Sequence, residues 1–255
     1  MRRLGRVISG VGNYWLHRPR PVLFAHLPRC AGTTVSRYLA AHYPPWLTFR
    51  THGTWAAESV ERFKALPERR RYPYQLILGH LTNDLLAWAH PDTVTFTVFR
   101  DPVERIVSHY FYARQNPRHY LNQRIHEEGI RLEDYTSLDL SPELRNGLTA
   151  HFSGLSAEQA EAHPEEALQI ALDAILDRYQ VIGFQDALPD AVERLRRLAK
   201  LHKPFTNPVI NRSNGDAQTT RTVTEEARGN IASVNSIDVE LYRQLKLRSA
   251  RQQPD

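Results

Sequence analysis

The sequence predicts an α/β fold, a mostly parallel sheet flanked by helices on both faces. Three observations lead there. Short apolar runs rich in β-branched and aromatic residues recur at 22–27, 75–79, 93–99 and 181–184. Segments with apolar residues at helical spacing separate these runs, and strands that alternate with helices pair in parallel through crossovers. The length of 255 residues lies near the upper end for one α/β domain, so one domain with excursions is expected.

Taken in order, Val22 to Leu27 reads as a buried strand, and Thr33 to Tyr43 as a helix with Val35, Tyr38, Leu39 and His42 at helical spacing. Trp46 to Thr51 reads as a second strand, Thr54 to Leu66 as a helix, and Pro67 to Arg71 as a solvated turn. Gln75 to Gly79 is a third strand, Asp84 to Ala89 a short helix, and Thr93 to Phe99 (TVTFTVF) a fourth strand. The next helix carries several start signals: Asp101 suits the N-cap, Pro102 the first helical position, and Glu104 completes a capping-box-like pair. Val103, Ile106, Val107, Tyr110 and Phe111 form its apolar stripe. Residues 116–142 are polar and weakly periodic, a helical excursion. Pro142 to Phe152 and Pro164 to Arg178 read as helices, Val181 to Phe184 as the last strand, and Pro189 to Leu201 as a helix. Pro204 to Thr220 reads as a loop, and Thr224 onward as helix, broken near Asn235-Ser236. There is no internal repeat and no low-complexity tract.

Composition narrows the classes. Hydrophobic residues make up 41% and aromatics 9%, enough for a core. The single cysteine, Cys30, rules out an internal disulfide and fits a reducing compartment. No apolar run approaches the roughly 18 residues of a membrane span. The basic start, MRRLGRVISGVGNYWLHRPRP, is broken by Gly10, Gly12 and Asn13 and lacks the apolar region of a signal peptide. These features predict a cytoplasmic protein, with residues 1–20 as a basic segment ahead of one domain over 21–250. A net charge of +5 favours anionic partners without choosing among nucleotide, acidic glycan, nucleic acid or lipid headgroup. Peripheral contact with a membrane stays open, and nothing selects an oligomeric state.

In parallel sheets ligands bind beyond the carboxyl ends of the strands. The stretch HLPRCAGTT, 26–34, lies at such an end. Ala31 and Gly32 let the backbone approach a ligand, and the N–H groups of a helix start attract anions. Thr33 and Thr34 add hydroxyls and Arg29 a permanent charge. The same residues also suit an ordinary strand-to-helix turn with threonine caps. A nucleoside-triphosphate P-loop needs G-x-x-x-x-G-K-[ST], whereas here one glycine is present and Thr33 stands at the lysine position. An ATP-dependent kinase is therefore disfavoured.

The stretch FRDPVERIVSHYFYAR, 99–114, offers a second anion pocket. Arg100 ends a strand, and Ser108 lies about two helical turns, or about 10 Å, beyond the cap. Both can reach one phosphate lying beside the helix. Equally, Arg100 can pair with Asp101 or Glu104. Two anion sites at two strand ends suggest one ligand with two separated phosphate-like groups.

HLPRCAGTT followed by VFRDPVERIVSHY resembles the 5′-phosphosulfate loop and the 3′-phosphate motif of PAPS-dependent sulfotransferases. The closer resemblance is to the carbohydrate branch that includes heparan sulfate and chondroitin uronosyl 2-O-sulfotransferases. ILGH at 77–80, NGLTAHFSG at 146–154 and VNSIDVELY at 234–242 agree with it, so the likeness spans most of residues 22–245. It implies a P-loop-like α/β sheet around 3′-phosphoadenosine-5′-phosphosulfate (PAPS) as co-substrate, with no metal requirement. It also implies transfer of a sulfuryl group to a hydroxyl of an acceptor, a carbohydrate or a glycolipid, by in-line displacement. Arg29, Cys30, Ala31, Gly32, Thr33 and Thr34 would surround the 5′-phosphate, with Arg100 and Ser108 at the 3′-phosphate. Arg212, in the loop PVINRSNGD, would be a third nucleotide ligand. Arg29 would stabilise the leaving oxygen, and His80, matching the Gly-His of the uronosyl branch, would be the general base. The family's usual residue at position 29 is lysine; arginine keeps its proton and offers a planar fork instead. Cys30 replaces the commoner threonine and reads as a packing residue.

Other placements remain open. His26 reads as a structural residue of the first strand, while His52, Glu58 and Asp84 are further candidate bases. The run Arg69-Arg70-Arg71 suits either an anionic glycan or solvent. Two other classes compete: a catalytically inactive nucleotide-binding protein, and a nucleic-acid-binding protein. The second lacks any helix-turn-helix, zinc or RNP pattern, and its basic residues are dispersed, so no nucleic-acid partner is expected.

Overall fold

The computed structural model describes residues 17–51, 53–206 and 223–251. The strands are β1 (Val22–Ala25), β2 (Thr48–Arg50), β3 (Leu76–Gly79), β4 (Val94–Phe99) and β5 (Val181–Phe184). The helices are α1 (Gly32–Ala40), α2 (Ala56–Lys64), α3 (Glu68–Arg71), α4 (Pro102–Gln115), α5 (Asn122–Glu127), α6 (Gly147–Ser153), α7 (Ala157–Ala162), α8 (Pro164–Arg178), α9 (Leu188–Ala199), α10 (Glu225–Val234) and α11 (Ser236–Arg251). Two compact units divide them: Met1–Phe99 with Arg178–Arg212, and Arg100–Asp177 with Ser213–Asp255. Among the described residues no helix is long and apolar enough to cross a membrane.

The first unit holds the whole sheet, in the order β2-β3-β1-β4-β5 with every pair parallel. The expected α/β architecture is present. Side chains alternate along β1, so Val22 and Phe24 face one way and Leu23 the other. Val22, Phe24, Leu76, Leu78, Val94 and Phe96 pack under Val35 and Leu39 of α1 and Val192 and Leu195 of α9. Leu23 and Ile77 pack on the opposite face with Val60 and Phe63 of α2 and with Leu85. Each such fully buried side chain stabilises the fold by about 1.5–3 kcal/mol. With helices on both faces, β1 must be apolar at every position, and this is why its run was readable.

The short helix expected at Asp84 to Ala89 is the 3₁₀ helix Thr82–Trp88, with Ala89 just past its end. The strand expected at Trp46 to Thr51 is shortened to β2, because Pro45–Leu47 forms a 3₁₀ turn. The solvated turn at 67–71 contains the single turn α3, and Arg71 has a structural task. Its guanidinium donates to the carbonyls of Lys64 and Leu66 at 3.1 and 2.8 Å, satisfying the exposed end of α2, and lies 4.9 Å over the Trp88 ring.

The second unit is helical. Ile106, Tyr110 and Ala113 of α4 share a core with Ile125, Tyr135, Leu144, Ala227 and Ile231. Asp101 caps α4 as its sequence predicts, accepting from the Glu104 N–H at 3.0 Å, with Pro102 at the first position. The helix expected from Pro142 to Phe152 is split. Pro142–Leu144 is a 3₁₀ turn, and α6 begins only after Asn146, which adopts a left-handed conformation with φ 46°. The cause is a reciprocal clamp. The Asn146 N–H donates to Asn235 Oδ1 at 2.9 Å, and Asn146 Oδ1 accepts from the N–H of Ile237 at 3.0 Å. Asp238, fully buried, accepts from the N–H groups of Leu148 and Thr149 and from the Thr149 hydroxyl, at 3.0, 2.7 and 2.8 Å. A carboxylate at the start of α6 meets both its unsatisfied donors and its dipole. Arg105 lies 3.6 Å from the same carboxylate. NGLTAHFSG and VNSIDVELY thus meet as a capping network. The helix break near Asn235 is as expected, whereas α7, with its Ser156–Gln159 capping box, was not anticipated.

Candidate active site

In the sheet unit β1 ends at Ala25, and the chain turns into α1 through left-handed residues at Arg29 (φ 65°) and Ala31 (φ 60°). Left-handed residues in such a turn point successive N–H groups into a concave nest for an anion. The Cys30 N–H donates to the Leu27 carbonyl and the Thr34 N–H to Ala31. The N–H groups of Ala31, Gly32 and Thr33 have no hydrogen-bond partner among the described residues. The Thr33 side chain is exposed, Thr34 and Cys30 are buried, and Cys30 Sγ lies 3.4 Å from the Pro28 carbonyl, a packing position. Gly32 is required by a neighbour: a Cβ there would stand 1.7 Å from the His26 ring.

His26 is the site residue that sequence reasoning placed elsewhere. The strand ends one residue before it, and its ring leaves the sheet to lie over Gly32 and stack on His80, centroids 4.4 Å apart. Burial, then the charges of His80, Arg50 and Arg29, lower its pKa from 6.5 to about 3, so it is neutral at ordinary pH. The imprint of Arg50, at the end of β2, marks a further cation that sequence reading missed; no sequence signal distinguished it from other strand-end cations.

His80 follows β3 and is held by its own turn. Gly79 has φ 130°, and a Cβ there would meet Thr51 Oγ1 at 2.1 Å. Thr51 donates its hydroxyl to the His80 carbonyl at 2.7 Å, and Leu81 turns back with φ 59°. His80 Nδ1 lies 2.9 Å from the His26 carbonyl. A carbonyl only accepts, so Nδ1 is the donor, and in the neutral ring Nε2 is then the acceptor. Of the other candidate bases, Glu58 is exposed in the first turn of α2, and Asp84 is exposed and held by Asn83 at 2.8 Å. His52 and Arg212 lie outside the described residues.

In the helical unit, Arg100 precedes the α4 cap and lies 3.7 Å from Glu104, a loose ion pair. Glu104 is held more closely by Arg228, at 2.8 Å, a cation from α10 that sequence analysis did not single out. Two arginines thus share Glu104 beside the Asp101 cap, and Ser108 lies two turns along the same helix. The described geometry therefore groups Arg29, the turn, His26, Arg50 and His80 in one unit, and Arg100, Glu104, Arg228 and Ser108 in the other.

The sequence matches the model described as the Sulfotransferase family over residues 13–245. No curated protein matches the chain.

Proposed function

Because the chain belongs to the sulfotransferase family, we propose that it moves the sulfuryl group of PAPS to a carbohydrate or glycolipid hydroxyl, with His80 as general base. The observation that carries this reading is the His80–His26 contact. With Nδ1 bonded to the His26 carbonyl, the neutral ring has Nε2 as its acceptor, which supports His80 as the base. The family match runs through segments of both units, which supports taking residues 21–250 as one sulfotransferase domain behind a basic segment at 1–20. The single cysteine suits a reducing compartment, and the cytoplasm is the location proposed.

The nest fits a phosphate, since it presents N–H donors from Ala31, Gly32 and Thr33 at a helix start and has a permanent cation in Arg29. PAPS supplies an activated sulfuryl group on its 5′-phosphate. His80 Nε2 takes the proton of the acceptor hydroxyl as its oxygen bonds to sulfur. The bond from sulfur to the phosphate oxygen breaks, and the nest with Arg29 meets the charge left on that oxygen. His26, neutral and stacked on His80, keeps the base aligned without adding a second charge. Arg100 and Ser108 serve the 3′-phosphate, with Arg212 as a further nucleotide ligand.

Calorimetry with adenosine 3′,5′-bisphosphate, 5′-AMP and ATP, alongside a transfer assay, tests this. The bisphosphate binds tightest, and His80→Ala lowers turnover about a hundredfold while nucleotide affinity barely moves. Equal affinity for 5′-AMP removes the 3′-phosphate assignment, and a folded His80→Ala protein with undiminished transfer removes His80 as base.

A further inference from the structure

At the C-terminal end of α4, aromatic rings and one carboxylate gather on the surface of the helical unit. Tyr112 is 42% exposed and Tyr120 62%. The His119 ring stacks on Tyr120 at 4.7 Å between centroids and meets Tyr112 edge-on at 5.6 Å. Glu143 closes the group: its Oε1 accepts from the Tyr120 hydroxyl and lies 3.3 Å from His109 Nε2. Behind it stands a buried support, for His109 is 3% exposed and its Nδ1 lies 2.8 Å from the Tyr135 hydroxyl. Ser141 Oγ lies 2.9 Å from the same Tyr120 hydroxyl and adds a second anchor there.

This arrangement has a distinct chemistry. Burial disfavours the Glu143 charge, yet hydrogen bonding and electrostatic attraction from His109, the Tyr120 hydrogen bond and the Arg105 charge prevail and lower its pKa to about 2. Glu143 is therefore a carboxylate at any working pH, able to accept hydrogen bonds and unable to donate them. Its Oε2 is bonded by no described residue. A fixed acceptor beside the exposed Tyr112 and Tyr120 rings, braced by His119, suits a ligand with a flat C–H face and hydroxyl donors at its edge. It does not suit a carboxylate or sulfate, which would bring acceptors against an acceptor.

We propose that Tyr112, His119, Tyr120 and Glu143 form a subsite for an uncharged pyranose. The aromatic faces pack on the C–H face of the sugar, and Glu143 accepts hydrogen bonds from its hydroxyls. Naming that sugar as part of the acceptor rests on the sulfotransferase reading; the binding itself does not. Tyr112 lies one turn beyond Ser108 on α4, about 6 Å along the axis, so the subsite and the candidate 3′-phosphate ligand share one rigid element.

The test is saturation-transfer NMR on the full chain with a matched pair, methyl β-D-glucopyranoside and methyl β-D-glucopyranosiduronate, and with cellobiose. The glucoside and cellobiose receive saturation, and the glucuronide binds about tenfold or more weakly. Tyr120→Ala, at an exposed position, abolishes the glucoside signal, and Glu143→Gln weakens the glucoside and narrows its lead over the glucuronide. No saturation of glucoside or cellobiose in the wild type overturns the proposal, as does a glucuronide bound as tightly as the glucoside, or a Tyr120→Ala protein that binds like the wild type. Nucleotide calorimetry on the same samples separates the two readings. Bisphosphate binding without glucoside binding removes the subsite and keeps the transferase; glucoside binding without bisphosphate binding does the reverse.

Discussion

Replacing His26 with glutamine should flatten the acid limb of the stability curve. The His26 pKa falls from 6.5 to about 3 on folding, chiefly through burial and then through the charges of His80, Arg50 and Arg29. The native ring thus refuses a proton that the unfolded chain accepts. Its stability contribution is intact above the unfolded value of 6.5 and is lost as pH falls toward about 3. With each pKa unit worth about 1.4 kcal/mol, this group alone removes about 2 kcal/mol between about pH 7 and pH 5. The loss approaches about 5 kcal/mol near the bottom of the window. His42, lowered to about 4, and the carboxylates add their own acid sensitivity, so the difference between wild type and variant is the informative quantity. Urea titrations from about pH 7 to pH 4.5, followed by tryptophan fluorescence, measure it, because Trp46, Trp55 and Trp88 belong to the same unit as His26. His26→Gln should lower the slope by about 1 kcal/mol per pH unit, whatever its stability at neutral pH. Parallel curves for the two proteins would refute the reasoning and mean that the native ring protonates freely.

Other changes have equally direct readouts. Arg29→Ala should weaken both bisphosphate binding and turnover, and Arg29→Lys should keep transfer within about tenfold if Arg29 acts on the leaving oxygen through its charge; loss of activity in the lysine variant would point to bidentate geometry. Arg100→Ala should cost about 1.5–3 kcal/mol of bisphosphate affinity by calorimetry and Ser108→Ala about 1 kcal/mol; the reverse order would make Arg100 the structural partner of Glu104. Asp238→Ala leaves Arg105 and the start of α6 without their acceptor and should destabilise the helical unit by about 3–5 kcal/mol in denaturant melts followed by far-UV circular dichroism; an unchanged midpoint would remove the capping network from the account.

Read alone, the sequence determined the parallel α/β class, the order of the strands along the chain, the start of α4 and the turn at 26–34. These are local matters. A strand buried on both faces must be apolar throughout, a cap needs its own residue type, and a tight turn needs small residues. The amino acids at 26–34 and 99–108 were also enough to indicate the sulfotransferase family, which the match over 13–245 bears out. Tertiary structure decided what depends on partners distant in sequence. His26 became a rim residue because the strand ends before it and Gly32 and His80 receive its ring. The helix expected from 142 broke because Asn235, 89 positions later, takes the Asn146 N–H. Arg50 and Arg228 gained significance only through His26 and Glu104. Periodicity reports which face of an element is buried, but not which polar group it meets there; that pairing exists only once the chain has folded.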